Sequence, residues 1–219
     1  MLRFARKEPS AILFAAQLMA LLLYPLLESG GAGRALFSAL GIGFLGLVVL
    51  AVRTSPGITW IGVLLAAPAS ALLVIQAVTG DTTLVPYSSA LEAILYFYAA
   101  GALIAYMLAD HVITRDELFA VGATFTLVAW AFAYLYVVVQ AAAPDSFTAA
   151  VRPDDPRTWV ELLFLSFTTL TSTGLSDVVP IRPFARSVVM LEQLAGLGYV
   201  AMVVSRLVAL TVMRRSPSD

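Results

Sequence analysis

The sequence predicts an all-α integral membrane protein with six transmembrane helices, plus a short re-entrant helix and loop between the fifth and the sixth. Three observations predict it. The 219 residues are 60% hydrophobic and only 12% charged, with a mean hydropathy of +0.91. A soluble domain of this size cannot hide so much apolar surface, whereas a bilayer removes the need for a polar exterior. Six apolar runs are separated by turn residues. A seventh apolar run, too short to cross, leads into a string of hydroxyl residues.

The spans lie at 11–27, 35–52, 58–79, 86–109, 118–141 and 183–213. Each is long enough to approach or exceed a hydrocarbon core of ~30 Å at ~1.5 Å per residue. The first follows a basic head, Arg3, Arg6 and Lys7, and its apolar run to Leu27 is longer than a signal-peptide core, so it reads as a retained anchor. Ser29-Gly30-Gly31, Thr54-Ser55-Pro56-Gly57 and Thr79-Gly80-Asp81 are turn chemistry. Pro25 and Pro68 are expected to kink their helices.

Basic residues set the orientation. An inside N-terminus puts Arg3, Arg6, Lys7, Arg53, Arg115, Arg214 and Arg215 on the inner side, and Arg34, Arg152, Arg157, Arg182 and Arg186 on the outer side. That bias predicts a multi-pass protein of the cell membrane with both termini cytoplasmic. Residues 1–110 form a four-helix bundle, and 111–117 a short linker carrying His111, read as solvated. Glu92 reads as a satisfied bundle residue. The interiors of the first four spans hold no Arg or Lys. Each sensing charge would gain only about 2.3 kcal/mol per 100 mV, so weak voltage dependence is expected. The tail, 214–219, is read as cytoplasmic and leaves gating to lipid, tension, ion occupancy or a separate partner.

The net charge of −1 gives no attraction for nucleic acid. With no cysteine and a single histidine, disulfides, thiol chemistry and Cys/His zinc sites are excluded, and no catalytic set is spaced along the chain. No enzyme activity, small-molecule substrate or cofactor is expected.

The segment 142–182 is the unusual one. It opens on Pro144-Asp145-Ser146 and continues through Arg152-Pro153-Asp154-Asp155-Pro156. A helix over 156–170 follows, with Asp155 as its expected cap and Pro156 in its first turn. Some ~15 residues reach only ~22 Å, too short to cross. It ends in a string of hydroxyls, Thr168, Thr169, Thr171, Ser172 and Thr173, followed by Gly174-Leu175-Ser176-Asp177. Irregular backbone at membrane depth survives where protein or water satisfies it, so this loop is expected to line an aqueous path.

The string from Phe167 to Pro180, read with Pro183-Phe184-Ala185-Arg186-Ser187, Leu191-Glu192 and Arg206-Leu207-Val208, resembles the pore domain of bacterial potassium channels. The resemblance covers 118–213: outer helix 118–141, pore helix 156–170, filter 171–177, inner helix 183–213. It implies a homotetramer in membrane lipid, one chain supplying a quarter of the pore, with K+ as the permeant ion. Thr171, Ser172, Thr173, Gly174, Leu175 and Ser176 then form the filter, with K+ at the carbonyls and hydroxyls of Ser172, Thr173 and Gly174. Asp177 stands at the outer mouth, Trp159 and Glu192 support the filter, Gly196 and Gly198 are candidate gating hinges, and Arg206 lies near the inner interface.

The family pattern T-V-G-Y-G here reads Ser172-Thr173-Gly174-Leu175-Ser176. Leu175 cannot donate a hydrogen bond to brace the loop. Ser176 would cost roughly 1–2 kcal/mol relative to glycine if its position needs a positive φ. These departures keep three alternatives in view: a weakly selective cation channel, a non-conducting homologue acting as a structural or regulatory subunit, and a potassium transporter. The transporter ranks last, since such proteins resemble four pore repeats and this chain has one.

Overall fold

The computed structural model describes residues 8–27, 41–50, 59–109 and 114–215. The elements are α1 (Pro9–Leu27), α2 (Gly41–Leu50), α3 (Thr59–Thr79), α4 (Val85–Leu108), α5 (Arg115–Ala142), β1 (Phe147–Ala149), α6 (Trp159–Leu170), β2 (Val178–Pro180) and α7 (Pro183–Arg215). Among the described residues, α3, α4, α5 and α7 are long and apolar enough to cross a membrane. The flanks of the expected second span, the turns at 29–31 and 54–57, the basic head and His111 lie outside the described residues.

The contacts divide the chain into two compact units, and the division falls within α5, between Ala131 and Phe132. In the first unit, α1 runs in the same direction as the start of α5. The Ser10 N–H and hydroxyl each donate to Asp116, at 2.9 Å, and seven residues on Gln17 Nε2 donates to the Ala123 carbonyl at 3.2 Å. Small side chains on α5 permit this. Ala120 and Ala123 are fully buried, and a Cβ added to Gly122 would sit 2.7 Å from the Phe14 ring. Phe44 of α2 packs on Trp130 and Tyr96, with ring centroids 4.5 and 5.8 Å apart. Glu92 is buried in this unit.

Helices α3 and α4 are joined by a short turn, and Gln76 reaches across to Ser88 at 3.0 Å. In the turn, the Asp81 carboxylate accepts the Thr83 hydroxyl at 2.7 Å and the Thr83 N–H at 2.8 Å. Those bonds, the hydroxyl's first, hold the Asp81 carboxyl below its usual range.

The second unit holds the rest of α5, the two strands, α6 and α7. Its strands pair antiparallel, Phe147 opposite Pro180 and Ala149 opposite Val178. The bond from Ile181 N–H to the Ser146 carbonyl, 2.9 Å, makes that a hydrogen-bonded pair. By alternation Pro180 falls at a non-hydrogen-bonded position, where a missing N–H costs nothing.

The short helix differs from expectation in its cap. The short helix starts at Trp159, three residues later than predicted, and is capped by Thr158 in place of Asp155. Thr158 and Glu161 form a capping box, each side chain accepting the other's backbone N–H. Asp155 is occupied elsewhere: its carboxylate lies 3.8 Å from Arg152 and its carbonyl accepts from Arg157.

Candidate functional site

The loop Thr171–Asp177 leaves the C-terminal end of α6 and runs to β2. Its first N–H groups turn back onto the helix end. Ser172 N–H donates to the Thr169 carbonyl at 3.0 Å, and Thr173 and Gly174 N–H both donate to the Thr168 carbonyl, at 3.0 and 3.1 Å. In a planar trans peptide the carbonyl points opposite to the N–H. The carbonyls of Thr171, Ser172 and Thr173 are therefore all turned away from the helix, toward the exposed side of the loop.

The dihedrals fit this. Ser172 has φ +58° and Gly174 has φ +65°, while Thr173 between them stays negative. Alternating handedness turns successive peptide groups the same way. Glycine adopts such a φ without cost, so the strained non-glycine is Ser172, at roughly 1–2 kcal/mol. Ser176 is not at positive φ, and the cost considered for it does not arise. Its hydroxyl instead accepts the Val178 N–H at 3.0 Å, fixing the entry to β2.

Hydroxyls tie the loop further. Thr171 Oγ1 donates to the Phe167 carbonyl at 2.6 Å and lies 3.0 Å from Thr173 Oγ1, which bonds the Thr168 carbonyl at 3.3 Å. Leu175 is 77% exposed, and Asp177 is exposed as well.

Behind the loop, Glu192 of α7 is fully buried. Its Oε2 accepts the Tyr136 hydroxyl from α5 and its Oε1 accepts the Ser166 hydroxyl from α6. One carboxylate thus joins three helices. One turn on, Gly196 meets Leu170: an added Cβ would overlap the Leu170 carbonyl oxygen and lie 2.9 Å from its Cα. Two contacts one turn apart on both helices fix how α6 lies along α7. At Gly198, by contrast, an added Cβ meets nothing within 4 Å. Trp159 packs against Tyr134, ring centroids 5.3 Å apart and tilted, and Arg206 is half-buried on α7.

Replacing Glu192 by Leu removes the carboxylate that accepts from two buried hydroxyls and is expected to destabilise the fold by about 1–4 kcal/mol. Glu192→Gln retains an acceptor and a hydroxyl-compatible donor, so its cost should be less than half. Unfolding in mixed detergent micelles measures both. Equal losses would mean that hydrogen bonding at this point contributes nothing.

Sequence reasoning singled out Glu192 but missed its partners. Tyr136 and Ser166 sit in apolar runs, and the signal was Glu192 itself, since a buried carboxylate requires donors. Arg157 and Gln140 were likewise missed. Gln140 accepts the Arg157 N–H at 2.8 Å and donates to the Arg157 carbonyl at 3.0 Å.

A family model described as an ion channel matches residues 93–213, more than half of the chain. No curated protein and no solved structure matches it. The chain belongs to this ion-channel family, as a multi-pass membrane protein built of apolar helices.

Proposed function

We propose that the chain is one quarter of a homotetrameric, potassium-favouring channel of the cell membrane, with Thr171–Ser176 as its filter and Asp177 at its mouth. One observation carries the reading: three consecutive carbonyls, of Thr171, Ser172 and Thr173, are turned away from α6 on an exposed loop. A ring of four such loops replaces the hydration shell of a dehydrated cation. In this reading α6, with 12 residues and about 18 Å of length, enters the membrane and returns as the loop.

The tetramer has support in α7. Ala185, Val188, Val189, Glu192, Gly196 and Tyr199 are buried within the unit, while Leu191, Leu194, Leu197, Val204 and Val208 are exposed. That second apolar face, next to the exposed loop, suits three further copies around an axis. Six crossings have support in α1 and α5, which run in the same direction, as the first and fifth of consecutive spans must. Both termini are then cytoplasmic. Trp159 and Glu192 act as supports of the filter, and Gly198 is the freer of the two hinge candidates.

Among the described residues, α1–α4 hold no Arg or Lys. Conductance is therefore expected to change less than about twofold per 100 mV. Planar-bilayer recording checks this, and a steep sigmoid would contradict it.

Ion flux from liposomes holding the purified tetramer tests the function. K+ flux should exceed Na+ flux by about tenfold or more, a difference of about 1.4 kcal/mol. Equal fluxes would make the protein a weakly selective cation channel. No flux of either ion from folded tetramers would make it a structural subunit.

A further inference from the structure

The loop between α5 and α6 is organised around one buried cation. Arg157 is 4% exposed, and its guanidinium donates to three backbone carbonyls. Nη1 reaches Val151 at 3.3 Å, Nε reaches Asp155 at 3.0 Å, and Nη2 donates to both Arg152 and Asp155. Glu161, in the first turn of α6, lies 3.7 Å from Nη1 and balances the charge. Gln140 grips the Arg157 backbone from the end of α5 in both directions.

A buried guanidinium is costly unless its donors are met, and here the chain bends to meet them. Arg152 adopts left-handed geometry, at φ +52°, and its carbonyl accepts from Arg157. The ordered loop then reaches the strands. Thr148 of β1 donates its hydroxyl to the Pro153 carbonyl at 3.1 Å. β1 pairs with β2, and β2 follows Asp177 directly. A continuous set of bonds runs from Gln140 through Arg157 and β1 to the strand that carries the end of the filter.

We propose that Arg157 is a positioning residue for the outer mouth: by ordering the loop before α6 it holds β1 against β2, and so fixes where the chain leaves the filter. This rests on the channel reading. Lysine replaces it only in part, because an ammonium lacks the planar fork that spans three carbonyls.

Hydrogen exchange and flux, both on the full-length tetramer in lipid, test the proposal. The Ile181 N–H bonds Ser146, and the register gives the Val179 N–H to Thr148, so these two amides report on the ladder. In Arg157→Ala their exchange should quicken by at least about tenfold, with amides in the middle of α5 unchanged. The ratio of K+ to Na+ flux should fall by at least about threefold at equal tetramer content. Arg157→Lys should show the same changes at smaller size. A residue that merely aids folding would lower the number of tetramers and leave the ratio alone.

Unchanged exchange in Arg157→Ala would overturn the proposal, and so would quickened exchange with an unchanged ratio. If Arg157→Ala does not assemble, Arg157→Lys and Gln140→Leu decide by the same two readings. A wild-type protein that carries no ion would sink the channel reading by itself. The exchange reading would then decide alone whether Arg157 holds β2.

Discussion

Gly174→Ala is expected to reduce potassium flux by at least about a hundredfold while leaving the folded tetramer intact. An added Cβ at Gly174 meets nothing within 4 Å, so crowding within the chain is not the cause. The backbone is the cause. Gly174 stands at φ +65°, and an L-residue held there costs roughly 1–2 kcal/mol. In the proposed ring of four, that cost would be incurred four times, about 4–8 kcal/mol for the conducting geometry as a whole. Alanine relieves it by rotating the peptide, which turns carbonyls off the path. The protein as a whole loses little, because the loop packs against little within its own chain. Flux per tetramer, counted by cross-linking, separates the two effects. Undiminished flux in Gly174→Ala would show that ions do not pass along this backbone.

Gly196→Ala should have the opposite profile, with a loss of stability first. The added methyl would overlap the Leu170 carbonyl oxygen and press on its Cα. Neither side yields easily, since Leu170 ends α6 and Gly196 is mid-helix in α7. Overpacking of this kind costs about 1–3 kcal/mol, more where the obstacle is backbone. Because Leu170 leads directly into Thr171, the strain should also reach the loop and lower flux. Gly198→Ala, two residues away, is expected to stay within about 1 kcal/mol of wild type, and to gain from alanine's helix propensity. Thermal unfolding in detergent checks the pair. Equal losses at both positions would mean that helix flexibility, not the α6–α7 approach, is what the glycines supply.

The span pattern was legible because apolar runs and turn residues are local signals. The expected spans 58–79, 86–109, 118–141 and 183–213 correspond to α3, α4, α5 and α7, with ends shifted by at most three residues. The start of α6 was misread for a physical reason. Asp155-Pro156 is a sound local cap, but Arg157 draws that segment into the loop, and the Thr158–Glu161 box takes over the capping. The box stands in the sequence as Thr158-x-x-Glu161, a signal the reading of Asp155-Pro156 passed over.

The loop's residue types were legible, whereas its strain was not. Ser176 drew attention as a missing glycine, yet the positive φ falls on Ser172, two residues before Gly174. Which residue carries such a φ depends on where the helix-end carbonyls of Thr168 and Thr169 lie, and no local motif encodes that. Strands of three residues are also below what alternation reveals. β1 and β2 are joined by pairing across roughly 30 residues of chain. Equally, Gly196 and Gly198 have the same standing in the sequence, and only the approach of Leu170 separates them.

The proposed ion path runs along the carbonyls of Thr171, Ser172 and Thr173. The most direct measurement is the reversal potential of single tetramers in a planar bilayer, with K+ on one side and Na+ on the other. A discrete conductance is expected, with a reversal toward the potassium potential, which Gly174→Ala abolishes. A reversal at zero that Gly174→Ala leaves unchanged would contradict it, because the ions would then follow another route.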